Sequence, residues 1–294
     1  MKFLFCENVL KPNTVDEAFA GEYENAINNG FDVLLYNFEE KSLRKNIKNN
    51  EIEEIIYRGW MLNLCEYEEL YKILLSKNYR LINTPTEYRN CHYLPDSLMY
   101  IENYTPKTIY KKIENKEDIN NLLDMTRIFN GKAVVIKDYV KSEKHYWDTA
   151  CFVENSDDKN KLNETIINLM DLRDECFNEG IVIREYIELN KLVNHSKSLM
   201  PLSEEYRLFF YKNELLCFFN YWEEGEYNTE KPNINDFVQI SKFIESNFFT
   251  MDIAKDKNGK FIIIELGDGQ VAGIPENEDK DILYKKIKEK QASG

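Results

Sequence analysis

Two carboxylates near the C-terminus carry the first chemical signal. In "TMDIAKDKNGKFIIIELGDGQ", residues 250–270, Asp252 and Glu265 each stand among apolar residues of a β-rich run, and Asn258-Gly259 separates the runs. An Asn-Gly pair in that setting marks a two-residue type I′ turn. With the pair at its centre, cross-strand partners have numbers that sum to 517, a sum that Asp252 and Glu265 meet. Opposed β-carbons lie about 4.5–5.5 Å apart, where like charges repel. Such a pair needs a shared proton or a cation between its oxygens. Carboxylate oxygens completed by phosphate and water suit magnesium. The alternative is a solvent-facing hairpin with incidental acids, and Ile262, Ile263 and Ile264 beside Glu265 weigh against it. Glycines at 267, 269 and 273 let backbone come close to a ligand.

A magnesium triphosphate needs further cations. Lys137 ends the alternating run "AVVIK", where it either meets a phosphate at the strand mouth or reaches water. Arg207 in "EEYRLFF" and Arg184 in "IVIREYI" lie among strand residues, and each needs an anionic partner, internal or bound. For Arg184 the expectation is an internal acid. The backbone of "EYIEL" after Arg184 can hydrogen-bond a flat heterocycle, with Glu188 in reach of ribose hydroxyls.

The elements that must hold these groups fall into two patterns. Lys2–Cys6, Phe31–Phe38 and Glu54–Gly59 read as strands. Between them lies a helix with Thr14 and Glu17 at capping-box spacing and Gly30 at its end. A second helix follows with Tyr67, Leu70, Tyr71 and Leu74 on one face. Strands alternating with helices imply a parallel βαβ unit. Residues 84–106 read as a connection. Beyond them helices at 118–129, 161–177, 234–247 and 279–290 mix with strands and a hairpin in "YRLFFYKNELLCFFNYW", an α+β pattern. The expected fold class is thus α/β plus α+β, divided into residues 1–104, 105–188 and 189–294.

Composition limits the function. The 294 residues carry 52 acids against 38 bases, a net charge of -14, which disfavours nucleic acid as a partner. Six cysteines without a C-x-x-C pair imply free thiols in a reducing cytosol. No apolar stretch approaches a membrane span, so a soluble cytoplasmic protein is expected.

Taken in order, "YRGWML", "TPKTIY", "VIKDYVKS", "IVIREYIEL", "EEYRLFF" and "MDIAKDKNGKFIIIELGDGQVAG" resemble the ATP-grasp superfamily. The similarity is to a clade related to the ribosomal-protein glutamate ligases and found in phage and bacterial conflict-system genomes. The resemblance implies an ATP-grasp fold behind an N-terminal βαβ pre-ATP-grasp domain, with ATP and Mg²⁺ as cofactors. By position it implies phosphate-holding lysines at Lys107 and Lys137, an adenine hinge at Glu185, Tyr186 and Ile187, and a ribose acid at Glu188. Glu205 and Arg207 match an acid-x-Arg pair, whose arginine, with Lys137, serves phosphoryl transfer. Asp252 and Glu265 match magnesium ligands. Gly267 occupies a position usually held by Asn, so either Asp268 substitutes as a ligand or a second magnesium is held less well. The phosphate-covering loop "DYVKSEKHYW" lacks glycine, so Lys141, Ser142, Lys144 and His145 would cover phosphates with side chains.

What this implies is an ATP-dependent carboxylate–amine ligase working through an acyl phosphate on small-molecule or peptide/protein substrates, as a monomer or homodimer. No serine-hydrolase or zinc-peptidase motif competes. A kinase-like phosphotransferase acting on a hydroxyl and a non-catalytic ATP-binding regulator are the alternatives. Arg58, at the carboxyl end of a strand, is expected to anchor a substrate anion, whereas Trp60 and His92 read as packing or rim residues.

Overall fold

The computed structural model describes residues 1–44, 49–196, 201–227 and 232–293. The chain runs through β1 (Lys2–Cys6), α1 (Ala20–Asn28), β2 (Asp32–Asn37), β3 (Ser42–Leu43), β4 (Glu53–Arg58), α2 (Leu64–Ser76), β5 (Tyr79–Leu81), α3 (Pro85–His92) and α4 (Leu94–Ile101). It continues through β6 (Thr108–Lys112), α5 (Lys116–Met125), β7 (Val134–Asp138), β8 (Phe152–Val153), α6 (Lys159–Arg173), β9 (Gly180–Glu185), β10 (Lys191–Asn194) and β11 (Pro201–Ser203). β12 (Glu205–Tyr211), β13 (Glu214–Asn220), α7 (Asn235–Ser241), β14 (Phe248–Lys255), β15 (Phe261–Asp268) and α8 (Asp281–Ser293) complete it. Two compact units result: Met1–Cys91 with Leu192–Asp252 and Leu266–Gly294, and His92–Lys191 with Ile253–Glu265. Among the described residues no helix is long and apolar enough to cross a membrane.

The first unit contains the expected parallel sheet, in the order β3-β2-β1-β4-β5, with β1 parallel to β2 and β4. β1 is apolar from Phe3 to Cys6 because both its faces are covered. Phe3 and Phe5 pack with Ala26 of α1 and Leu283, Tyr284 and Ile287 of α8. Leu4 and Cys6 pack with Tyr67, Leu70 and Leu74 of α2. Burying each large side chain contributes about 1.5–3 kcal/mol. Helix α1 starts later than its expected cap: Asp16, not Thr14, accepts from the N–H of Ala18, and Thr14 Oγ1 donates instead to Lys11 O. Residues 84–106 are not a plain connection, since α3 and α4 lie within them. Thr84 and Glu87 exchange a reciprocal cap ahead of α3, with Pro85 at its first turn, and Tyr88 and Cys91 are buried.

A four-stranded sheet follows the order β13-β12-β14-β15. The β12–β13 hairpin turns through Lys212 (φ 48°) and Asn213 (φ 64°), the paired positive φ of a type I′ turn. The Asn258-Gly259 hairpin does not use that turn. Only Gly259 has positive φ there (86°), Gly259 N–H donates to Asp256 O, and Asp256 N–H donates to Lys260 O. This is a type I turn through Lys257 and Asn258 closed by a left-handed glycine. The Asp256 carboxylate selects it by accepting from the N–H groups of Asn258 (2.9 Å) and Lys260 (2.8 Å). The pair at the turn therefore sums to 516. In the first unit Gly269 N–H donates to Phe248 O and Thr250 Oγ1 to Gly267 O, pairs that sum to 517.

The second unit carries an antiparallel sheet, β6-β9-β7-β8. Ile109, Val134, Ile136, Ile181 and Ile183 face the core beneath α5 and α6, with Ile119, Leu122, Ile166 and Leu169. By the strand period of two, Thr108, Val135, Lys137, Val182 and Arg184 emerge on the opposite face. That face carries the candidate chemistry of this unit.

Candidate functional site

In the second unit Lys137, near the end of β7, points its Nζ at Glu265 Oε2, 3.2 Å away. The expected phosphate cation and the expected metal ligand are thus brought together. Asp138, the next residue, is fully buried and organises the loop that leaves β7. It accepts from the N–H groups of Val140 (2.6 Å) and Lys141 (2.5 Å), from Arg173 Nε (3.1 Å) and from Asn178 Nδ2 (3.0 Å). Arg173 also reaches Glu143 (3.2 Å). A side-chain turn thereby braces the glycine-free loop, and it presents Lys141, exposed, and Ser142, half-buried, beyond the end of the strand.

His92, which the sequence left as a packing or rim residue, lies close enough to Lys137, Lys141 and Glu265 for their charges to act on it. Burial, then the two lysines, push its pKa down to about 3, against the pull of Glu265. It is a neutral imidazole at any working pH. Nothing in its sequence neighbourhood marks it, because it sits in a stretch read as a connection.

Several of the expected hinge residues already have partners. Glu185 pairs with Lys132 (2.5 Å) and Tyr186 N–H donates to Ala133 O (2.8 Å). Tyr186 is exposed and packs edge-on against Phe152, on which Trp147 stacks. Ile187 is half-buried, and Glu188 forms an exposed ion pair with Lys257. Lys107 is exposed and donates to Ile128 O (3.3 Å).

In the first unit Arg207 grips Asp252 through two parallel bonds, Nε to Oδ1 at 2.8 Å and Nη2 to Oδ2 at 2.7 Å. Its Nη1 donates to Gly273 O (2.9 Å), and its guanidinium lies over the Tyr221 ring at 4.7 Å. Glu205, two residues earlier, is buried and accepts from Ser203 Oγ (3.3 Å). The acid-x-Arg pair is therefore split: the arginine meets the expected metal ligand and the acid lies among buried groups.

Two expected site residues have other work. Arg58 is 1% exposed, and its donors are taken by both Glu22 oxygens and by the carbonyls of Gly269 and Ala272. A guanidinium so occupied cannot anchor a substrate anion. Asp268 is fully buried and accepts from Asn83 Nδ2 (2.6 Å) and from Gln270 N (2.8 Å) and Nε2 (3.2 Å), so its oxygens are not offered to a metal. The Asn normally found one residue earlier has no room here, since a β-carbon on Gly267 would come within 2.8 Å of Thr250 Oγ1.

Burial raises the Asp268 pKa to about 7 in spite of those donors. A carboxyl with a raised folded pKa binds its proton more tightly when folded, so stability falls as pH climbs from about 4 to about 7. The expected slope is at most about 1.4 kcal/mol per pH unit. Urea midpoints across that window should fall for the wild type and stay flatter for Asp268→Asn; parallel curves would remove this assignment.

Residues 129–287, more than half of the chain, match the model of the ATP-grasp domain, R2K clade family 3, so the chain belongs to that family. Among solved structures, a RimK domain ATP-grasp protein from Sphaerobacter thermophilus aligns with a TM-score of 0.62 at 11% identity, covering 98% of each chain. The D-cycloserine synthetase DcsG aligns equally well (0.62, 11%, 99% of each chain). The macrocyclase MdnC from Microcystis aeruginosa, bound with its precursor peptide MdnA, gives 0.56 at 12% identity over 100% of each chain. At these identities the likeness concerns the fold. No curated protein matches the chain.

Carboxylate oxygens are donors of the kind that magnesium takes. Among the described residues no group of three His, Cys, Asp or Glu side chains is placed to hold a metal. In each unit one candidate carboxylate faces a cation, Glu265 with Lys137 and Asp252 with Arg207.

Proposed function

We propose that the chain is an ATP- and magnesium-dependent carboxylate–amine ligase acting through an acyl phosphate. The observation that carries this reading is that each proposed metal ligand meets a proposed phosphate cation: Glu265 with Lys137 and Asp252 with Arg207. Such pairs keep the charges compensated until nucleotide arrives, and then both partners can turn to the ligand.

Magnesium, held by Asp252 and Glu265, would neutralise charge on the transferred phosphoryl group. Lys137 then holds phosphate oxygens, Lys141 and Ser142 cover them from the braced loop, and Lys107 adds a further cation. The backbone from Glu185 to Ile187 meets the adenine edge and Glu188 the ribose. Arg207, released from Asp252, steadies charge as phosphate passes to the substrate carboxylate. Chemistry of this kind depends on positioning and charge neutralisation. An amine then attacks the acyl carbon and phosphate leaves.

Peptide substrates are the first to try, because the MdnC structure holds a precursor peptide and another ATP-grasp neighbour, PsnB, is complexed with a minimal precursor, Mg and ADP. All six cysteines are free thiols, in keeping with a reducing cytosol. The test is ADP release with candidate carboxylates and hydroxylamine, which captures an acyl phosphate as a hydroxamate. Magnesium-dependent hydroxamate supports ligation. A stable phosphorylated hydroxyl product would establish the phosphotransferase instead, and nucleotide binding without turnover across the peptide and amino-acid pools would establish the regulator.

A further inference from the structure

One buried charge on the candidate face has no ion-pair partner among the described residues. Arg184, on β9, is 7% exposed. Its Nη1 donates to Ile264 O (2.7 Å) and its Nη2 to Thr105 Oγ1 (2.5 Å), both neutral partners, and its Nε has no acceptor among the described residues. The internal acid expected from the sequence is absent: among the described residues Arg184 makes no ion pair, and Glu265, whose charge does reach it, pairs with Lys137. An unpaired buried charge is among the costliest arrangements in a protein interior, and an orphaned N–H adds to the cost. Burial accordingly drags the Arg184 pKa down to about 10.

The register gives the orphan a direction. β9 and β7 pair Arg184 with Val135 and Val182 with Lys137. Arg184 and Lys137 are therefore diagonal neighbours on one face, about 7–8 Å apart at their α-carbons, and away from the isoleucine core. Two cations on this face share one carboxylate, and the neutral His92 adds no charge. An anion is what the arrangement lacks.

We propose that Arg184 is a nucleotide-phosphate ligand, its Nε–H donating to a phosphate oxygen beside Lys137. The assignment rests on reading the second unit as the nucleotide-binding one. It predicts that Arg184 discriminates ligands by their phosphates, whereas an arginine reading the base through its Nε–H would serve adenosine equally well.

Calorimetric titration of the full chain separates these cases, with AMPPNP, adenosine and inorganic tripolyphosphate as probes. Arg184→Met should weaken AMPPNP and tripolyphosphate about 10- to 100-fold, as expected for losing a hydrogen bond to a charged group, and change adenosine affinity less than about threefold. Arg184→Lys, which keeps the charge without the Nε–H, should fall between wild type and Arg184→Met. Equal losses for adenosine and AMPPNP, or unchanged AMPPNP affinity, would overturn the assignment. Should Arg184→Met not fold, the wild type still decides: its thermal midpoint must rise with tripolyphosphate, and indifference overturns the proposal. Wild-type protein that binds no AMPPNP would overturn the ligase reading as well. Loss of binding in Lys137→Ala with retention in Arg184→Met would leave that reading standing and sink only this one.

Discussion

Asp252→Asn combined with Glu265→Gln should lower magnesium-dependent ATP turnover by about a thousandfold or more. Each substitution keeps the shape of the side chain and removes its charge, so the packing of β14 and β15 is preserved while the proposed metal site loses two negative oxygens. A bound metal supplies several kcal/mol of transition-state charge stabilisation, and about 1.4 kcal/mol corresponds to tenfold in rate. The substitutions also leave Lys137 and Arg207 without their present partners. Stability must therefore be measured alongside activity. The Lys137–Glu265 pair is partly open to solvent, and the cost of losing it should be small. Asp252 is buried beneath a bidentate arginine, and its loss should be felt more. The informative result is a folded double variant with normal AMPPNP binding in the absence of magnesium and no magnesium-stimulated ADP release. Turnover within tenfold of wild type, still dependent on magnesium, would remove both residues from the metal site.

The hairpin was legible from its turn dipeptide, although the turn itself was misread. Asn-Gly predicts positive φ at both residues, but the Asp256 side chain holds Asn258 in an ordinary conformation and leaves only Gly259 left-handed. That competition between a side chain and the backbone lies two residues outside the dipeptide from which the turn was read. The numbering expected from the type I′ turn reappears at Thr250 and Gly267 despite the different count at the turn. A one-residue slip would have turned the strand over. The parallel sheet was legible for a more robust reason. A strand covered on both faces is apolar at every position, and β1 is so from Phe3 to Cys6.

What stayed hidden was pairing at long range. Whether a strand arginine faces an acid, a carbonyl or a ligand depends on residues far away in the chain. Arg207 found Asp252, 45 residues on; Arg184 found, among the described residues, carbonyl and hydroxyl oxygens; Arg58 found Glu22, 36 residues back on α1. The same local pattern, an arginine among apolar strand residues, thus has three outcomes. Asp138 was invisible for a related reason. An acid at a strand end reads as a solvent-facing terminus until Arg173 and Asn178 are seen to close over it.

Arg58→Met should be the most destabilising single change in the first unit, at about 3–5 kcal/mol, the range for removing one partner of a buried ion pair. Burial by itself would depress the Arg58 pKa, yet Glu22, with Tyr284 beside it, raises it. The pair is therefore held as ions, with Nε and Nη2 donating to the two oxygens of Glu22. Methionine removes the charge and the donors together, leaving the Glu22 carboxylate with only the Tyr284 hydroxyl among those three groups (2.7 Å), and the carbonyls of Gly269 and Ala272 without this donor. Pairing the change with Glu22→Leu removes the stranded acid. The double variant should recover at least half of the loss, because the surroundings from Phe3, Phe5 and Tyr284 are apolar. A substrate anchor behaves differently: its removal would raise KM for the acidic substrate and leave the unfolding midpoint nearly unmoved. Denaturant midpoints for the four corners of the cycle, read beside KM for the folded variants, decide between the two roles. A stable Arg58→Met enzyme with a raised KM would return Arg58 to the substrate site.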